Sequence, residues 1–434
     1  MKLFPDHWKT DSVSELCTDV VDCVNKTAPV VDGPTEYKMI RTTNVKAGRI
    51  NLDDCRYVDE ATFVKWTRRI QPKRNDIVLT REAPLGEVGL LRSDEPVFLG
   101  QRTMLYRANP EKLDQRFLYY SMLGPLVQGQ IRSQGSGATV EHLRVPDAES
   151  FLVAYPPLDE QRRIAALLSA YDDLIANNQR RIALLESMAE EIYREWFARM
   201  RFPGYETAEH ERGIPSGWQA STAAVMVHVQ GGGTPSTEVG QYWGGEIPFF
   251  SPKDSHDGAY CLQTEQSITE LGLENCASRL FPKDTIFITA RGTVGNLVLA
   301  GQPMAMNQSC YALVPKIDKK PYFVFAGLRC AVNVIKGISN SGVFDNVVMD
   351  TFKIIPLIDP GDALRDRYNE VAGPIYEQSL MLRRANSHLC ATRDALLPRL
   401  ISGKLRVEAL DIQFPPSMQQ PPTEAAQRGE AIAR

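Results

Sequence analysis

Two stretches of the chain carry apolar residues at alternating steps of four and three. The first runs Ile164, Leu168, Tyr171, Ile175, Asn178, Ile182, Leu185, Ala189, Ile192 and Trp196. The second runs Leu364, Tyr368, Val371, Ile375, Gln378, Leu382, Ala385, Leu389, Thr392 and Leu396, each 200 residues later. A mean repeat of about 3.5 residues keeps one stripe turned toward a partner helix, as in a coiled coil. The pattern predicts two long helices sharing a seam, with polar Asn178 and Gln378 setting its register. The competing reading is two amphipathic helices, each packed on its own domain. Gly373-Pro374, inside the second stripe, predicts a kink or a restart. Ahead of each stripe lie about 150 residues of short β-branched runs, such as Ile77-Val78-Leu79-Thr80 and Ile286-Phe287-Ile288-Thr289. Glycine and proline punctuate them, which predicts short strands joined by turns.

The shared grammar of the two halves is an internal duplication. Pro5 and Trp8 recur as Pro215 and Trp218, and Glu36 and Gly48 as Glu246 and Gly258, all 210 residues on. Arg69-Ile70-Gln71-Pro72-Lys73 recurs as Arg279-Leu280-Phe281-Pro282-Lys283 at the same offset. Thr80 and Gly86 match Thr289 and Gly295 at 209, Gln101 matches Gln308 at 207, Gly137 matches Gly342 at 205, and Pro156 matches Pro356 at 200. Chance matches would scatter, whereas this offset only falls, as small deletions in the second copy require. The organisation expected is a first domain over 1–155, a helix over 156–200, a second domain over 201–355 and a second helix over 356–404. Residues 405–434, with Pro415-Pro416 and Gln419-Gln420-Pro421-Pro422, are expected to form a disordered tail.

Composition narrows the function classes. With 43% hydrophobic and 24% charged residues, the chain is globular. A net charge of −4 argues against a basic coat on DNA, yet leaves room for local basic patches. None of the eight cysteines forms a Cys-x-x-Cys pair and the six histidines are scattered, so no metal ligand set is expected, and unpaired thiols fit a reducing cytoplasm. The start, Met1-Lys2-Leu3-Phe4-Pro5-Asp6, does not read as a signal peptide, and no run of about 18 apolar residues suggests a membrane span. An adenine methyltransferase would need an Asn/Asp-Pro-Pro-aromatic loop, but Asn109-Pro110 is followed by Glu111. No phosphate-binding Gly-x-x-x-x-Gly-Lys-Ser/Thr is present, and Gly231-Gly232-Gly233 reads as a turn. Asp6, Glu36 and Lys38 have a nuclease-like spacing, but the second copy has Ser216 and Pro248 in place of Asp6 and Lys38.

DNA binding has positive support. Between Glu36 and Arg74, ten Lys/Arg face five Asp/Glu, with Tyr37, Tyr57, Phe63 and Trp66 interleaved. Such a patch, including Lys65, Arg68 and Arg69, suits phosphates and bases, although a solvated sheet edge would look similar. At mirrored positions Arg41 faces Ser251, Glu82 faces Arg291 and Arg102 faces Ser309, while nearby Gly and Thr persist. A shared scaffold with altered polar groups is what two readers of different base sequences need; neutral surface drift is the bland alternative. The candidates are Arg41, Thr43, Arg81, Arg102 and Arg132 in the first copy. In the second they are Lys253, Arg279, Arg291, Gln308 and Ser309.

Four motifs complete the pattern. They are Pro156-Pro157-Leu158-Asp159-Glu160-Gln161-Arg162-Arg163-Ile164-Ala165, Tyr193-Arg194-Glu195-Trp196-Phe197, Gly232-Gly233-Thr234-Pro235-Ser236 and Leu396-Leu397-Pro398-Arg399-Leu400-Ile401-Ser402-Gly403. With the duplication, they make residues 1 to about 405 resemble the specificity subunits of type I restriction-modification systems. The second helix departs from the pattern, with Pro360-Gly361 where the first has Glu160-Gln161. The resemblance implies an α+β chain of two target-recognition domains, separated by two long helices in an antiparallel coiled coil. Each domain would read half of a split double-stranded DNA site. Two methyltransferase subunits and restriction-translocation subunits would join it, and those partners would bind S-adenosylmethionine, magnesium and ATP, leaving this chain non-catalytic and without a cofactor. The alternatives are a self-contained nuclease or methyltransferase, and a coiled-coil adaptor without DNA contact.

Overall fold

The computed structural model describes residues 4–135, 141–211, 213–316, 321–338 and 347–419; Gly137, Gly342 and the Gln420-Pro421-Pro422 run lie outside them. The chain divides into two units, Met1–Ile175 with Leu389–Arg434, and Ala176–His388. Each boundary falls inside a long helix: the central helix Leu158–Tyr193 and the distal helix Asp362–Leu400.

The β-branched runs form strands in both units. In the first, the order in the main sheet is Cys17–Asp22, Thr103–Ala108, Ile77–Arg81, Leu85–Leu90, Gly48–Ile50, Val45–Lys46. In the second it is Val227–Gly231, Cys310–Pro315, Ile286–Thr289, Leu297–Ala300, Tyr260–Cys261. The first five strands correspond one to one. A second small sheet repeats as well: Met39 pairs in parallel with Phe98 in one unit, and Phe249 with Ala305 in the other. Ile77, Val78, Leu79, Ile286, Phe287 and Ile288 are fully buried, as expected of central strands covered on both faces.

The central helix starts where Pro156-Pro157 can no longer extend a strand, and Asp159 and Glu160 in its first turn suit the helix dipole. Gln161 explains the motif that opens it. Its side chain accepts from the Asp114 N–H at 2.7 Å and donates to the carbonyls of Pro156 and Lys112, clamping the helix start to the first domain. Ile164, Ala165 and Leu168 then enter the core with Leu400, beside the partly buried Leu396 and Leu397. In the second unit Ala189, Tyr193 and Phe197 share a core with Tyr368, Ala372, Tyr376 and Phe323.

The two helices run antiparallel in the second unit. Asn178 donates to Asn386 Oδ1 at 2.9 Å, Ser379 donates to Glu186 at 2.5 Å and the Tyr368 hydroxyl donates to the Ala189 carbonyl at 2.9 Å, so numbering falls on one helix as it rises on the other. Of the seam residues, Ile164, Leu168, Ile175, Asn178 and Ile182 are buried, and Leu185, Ile192, Leu364, Ile375, Leu382, Leu389 and Leu396 are half-buried. Gln378 is exposed, so the register partner of Asn178 is Asn386 and not Gln378. The distal stripe that is fully buried runs Tyr368, Ala372, Tyr376, Leu380, in steps of four. It departs from the heptad because this stretch also packs on the domain wall, with Tyr376 stacked on Tyr322 at 5.1 Å and edge-on to Phe325. The helix also continues through Gly373-Pro374 without a restart. Gly373 lies against the Tyr322 ring, and this packing holds the segment where proline removes one ladder hydrogen bond.

Two further expectations are corrected. Pro356–Asp359, expected in the second helix, is a strand paired with Gln219–Thr222, and the turn at Gly361 then admits the helix. Residues 405–419 are packed, not disordered. Val407 is fully buried, Leu405, Ile412 and Met418 cover the first core, and Arg116 donates to the Ser417 hydroxyl at 2.9 Å and to its carbonyl at 2.5 Å. The apolar anchors Leu405, Val407, Ile412 and Met418, with the Arg116–Ser417 hydrogen bonds, oppose the chain entropy that the local proline and glutamine content favours.

In each unit a buried carboxylate of the central helix joins three elements. Asp172 is 2.7 Å from Arg393 of the distal helix and 3.0 Å from Arg92, and accepts from the Tyr120 hydroxyl at 2.8 Å. Glu186 accepts from Arg383 at 2.8 Å and from the Ala259 N–H at 2.9 Å. Replacing Asp172 with Ala removes the carboxylate shared by Arg92, Arg393 and the buried Tyr120 hydroxyl, although Arg92 keeps Asp173 and Arg393 keeps Asp394, and should cost about 1–3 kcal/mol in denaturant titration, whereas Arg144→Ala, at an exposed pair with Asp147, should leave the midpoint nearly unchanged. Equal losses in the two variants would contradict this assignment.

Candidate nucleic-acid interface

At one end of each main sheet the loops are tied together by a repeated set of hydrogen bonds. In the first unit the Arg81 N–H donates to the Arg102 carbonyl at 2.8 Å, and the Leu143 N–H donates to the Arg81 carbonyl at 2.9 Å. In the second, Ala290 N–H donates to the Ser309 carbonyl at 2.8 Å and Val347 N–H to the Ala290 carbonyl at 3.1 Å. The 3-10 turn after the small-sheet strand repeats too. The Arg41 N–H donates to Asn44 Oδ1 at 2.8 Å, and the Ser251 N–H donates to Asp254 Oδ2 at 2.8 Å. A hydroxyl joins this turn to the next loop in each unit, Thr42 to the Ala83 carbonyl and Thr293 to the Pro252 carbonyl. Finally, Thr27 donates to Gln101 in the first unit, and Thr234 donates to Gln308 in the second.

Glycine makes the last contact fit in the second unit. A Cβ at Gly232 would stand 2.1 Å from the Asn307 carbonyl oxygen, and one at Gly233 would stand 2.6 Å from the Ala277 nitrogen. The Gly-Gly-Thr run therefore lies directly on the loop that carries Gln308. The duplicated frame thus gathers five chain segments in each unit and presents their side chains together.

Those side chains differ between the units. In the first, Arg41 donates to the Asp54 carbonyl at 2.7 Å, Arg81 pairs with Asp22 at 2.7 Å and Arg102 with Glu82 at 3.0 Å, while Thr43 is exposed. The Nε atoms of Arg41 and Arg81 are buried without a hydrogen-bond partner among the described residues. In the second, Lys253 stands 3.4 Å from Glu265, Arg291 is exposed, and Gln308 and Ser309 occupy the turn. The frame therefore brings together Arg41, Thr43, Arg81 and Arg102, and separately Lys253, Arg291, Gln308 and Ser309. Arg132 is exposed on helix Pro125–Gln134, whose Ile131 faces Gly86 in the adjoining hairpin. Arg279 is exposed beside Ser278, which accepts from the Met306 N–H. Lys65, Arg68 and Arg69 are exposed on and just after helix Glu60–Thr67, outside the hydrogen-bonded cluster among the described residues. Thr27, Asn44 and Asp254 escaped the sequence reading, and Thr234 entered it only within the Gly-Gly-Thr-Pro-Ser motif, although Thr27 and Thr234 share the 207 offset of Gln101 and Gln308.

Among the described residues, Asp6, Glu36 and Lys38 are not gathered into one cluster of metal ligands. Lys38 is paired with Glu95, and neither Asp6 nor Glu36 belongs to the one trio of potential metal ligands among the described residues, His7, Glu160 and Glu408. All eight cysteines are free thiols, and burial pushes those of Cys17 and Cys261 up to about 12. Such thiols stay protonated and are poor nucleophiles. No helix among the described residues is long and apolar enough to cross a membrane.

Comparison with known proteins agrees with the duplicated frame. The model of the type I restriction modification DNA specificity domain matches twice, over residues 5–187 and 215–361. The type I restriction enzyme MjaIX specificity subunit of Methanocaldococcus jannaschii is 24% identical over 366 residues, covering 82% of this chain and 83% of the relative. The putative MjaX specificity subunit of the same organism is 22% identical over 436 residues, covering 93% and 95%. The crystal structure of a type I restriction-modification S subunit from M. genitalium has a TM-score of 0.55 at 18% identity, with 92% of this chain and 98% of that chain covered, a likeness of fold. With both copies matched, the chain belongs to the family of type I restriction-modification DNA specificity proteins.

Proposed function

We propose that this chain reads a two-part double-stranded DNA site as the specificity subunit of a type I restriction-modification complex, each loop cluster contacting one half-site. The observation that carries this reading is the repeated loop frame with different side chains on it. An identical backbone frame would dock on the duplex in the same way twice, and the side chains would then select different bases. The exposed Lys65, Arg68 and Arg69 would add phosphate contacts to the first half-site.

Catalysis would reside in partners. Two methyltransferase subunits would supply S-adenosylmethionine chemistry, and restriction-translocation subunits would use magnesium and ATP. Leu184 and Met188 support docking of a methyltransferase on the central helix. They are one turn apart and largely exposed, at 65% and 54%, and Met381 of the distal helix is exposed to the same degree. Exposed large apolar residues repeated along a helix mark a surface that another protein covers.

Exchange of residues 1–150 for the matching domain of another family member, assayed by methylome sequencing in a host carrying the partner subunits, should change one half-site only. A change in both would defeat the modular reading. Leu184→Asp with Met188→Asp should abolish co-purification with the methyltransferase subunit while the helical circular dichroism of the chain is kept. Undiminished co-purification would remove this face from the interface. Changing Lys65, Arg68 and Arg69 to Ala should lower the slope of log K against log salt by about one for each phosphate these side chains neutralise; an unaltered slope would take them out of the footprint.

A further inference from the structure

We infer that Arg102 specifies a guanine in the half-site of the first loop cluster, with Glu82 holding its guanidinium in the reading orientation; this rests on the DNA-reading role proposed above. Arg102 occupies the turn between strands Val97–Leu99 and Thr103–Ala108 and has a left-handed backbone, with φ of 66°. A side chain at such an angle is strained, and the conformation persists only where its surroundings fix it. Here the Arg102 carbonyl accepts from the Arg81 N–H, and the Thr103 hydroxyl braces the turn through the Gly100 carbonyl at 2.7 Å. The counterpart in the second unit, Ser309, does not share this backbone angle.

The guanidinium is placed as deliberately as the backbone. Its Nε stands 3.0 Å from Glu82 Oε2, and the arginine side chain is 54% exposed. Glu82 sits in a loop held on both sides, by an antiparallel bridge to His142 and by the bond from Thr42 to the Ala83 carbonyl. With Nε beside the carboxylate, the two terminal nitrogens make no hydrogen bond to any described residue. They form a fork of parallel donors, fixed in plane before any ligand arrives.

The carboxylate also decides what the fork can read. An arginine with Glu82 beside it has little net charge to offer a phosphate, and the carboxylate would repel one. A neutral base edge carries no such penalty. Guanine presents two acceptors in the major groove, O6 and N7, whereas adenine pairs an acceptor with a donor and thymine pairs one with a methyl group. The second unit inverts the arrangement. Arg291 stands where Glu82 does, exposed and with no ion pair to any described residue, and Ser309 stands where Arg102 does. The second half-site is therefore read by a different residue from a different loop.

The test uses the full chain assembled with its methyltransferase partner, scored by methylome sequencing and by methylation of oligonucleotides substituted at every base. Arg102→Ala should lower the preference for guanine at one position of one half-site about ten- to a hundredfold, leaving the other half-site intact. Arg102→Lys keeps the charge but loses the fork, and should relax the same position. Glu82→Gln should retain the guanine preference in weakened form, as a positioning residue would. An unchanged recognition sequence in Arg102→Ala would overturn the inference. So would full restoration of the native sequence by Arg102→Lys, which would make the contact one of charge alone. Loss of methylation on every substrate by both variants, with the complex still assembled, would make Arg102 a structural residue and overturn it too. If the domain exchange already alters one half-site, failure here leaves the modular reading standing.

Discussion

Asp172 and Glu186 are carboxylates taken out of water, and each is held there by arginine from the distal helix and by a group from a recognition domain. A buried acid without such partners would cost several kcal/mol, so each site requires three elements to arrive together. Within each unit this fixes the central helix, the distal helix and the domain wall against one another. Apolar packing alone would tolerate sliding by a turn; a carboxylate that must meet a particular arginine does not. The loop clusters inherit that rigidity, because their frames hang from strands packed on the same cores.

The frames themselves repeat between the units as a scaffold while the side chains on it change. Backbone and short side-chain hydrogen bonds, Thr27 to Gln101 and Thr234 to Gln308 among them, repeat between the units. The outward side chains do not repeat, since Arg102 and Glu82 are replaced by Ser309 and Arg291. In the proposed reading, geometry falls to the repeated groups and selectivity to the outward side chains that differ. Such a separation would let base preference change without refolding the domain.

Much of this was legible in the sequence. The falling offset exposed the duplication, the heptad steps exposed both helices, and the mirrored Arg41, Arg102 and Glu82 lay in the loops that the structure brings together. The distal register was not legible. A stripe of seven-residue steps describes a helix facing one partner, while Tyr376 and Ala372 answer to a domain wall as well as to the central helix. Gln378 mirrors Asn178 in numbering, but antiparallel helices pair by falling numbers, which sends Asn178 to Asn386. The segment after Lys404 misled through composition, because its few apolar residues, Leu405, Val407 and Ile412, each find the first core. The role of Thr27, and of Thr234 within its motif, was not legible because a threonine signals nothing until its glutamine partner is known.

Site-specific photo-cross-linking locates each loop cluster on the DNA. A photoreactive residue replaces Gln101 in one preparation and Gln308 in another, each in the full chain assembled with its methyltransferase and bound to its DNA site. A cross-link is expected from position 101 in one half-site and from position 308 in the other. Cross-links from both positions to the same half-site, or to neither, would contradict the two-part reading.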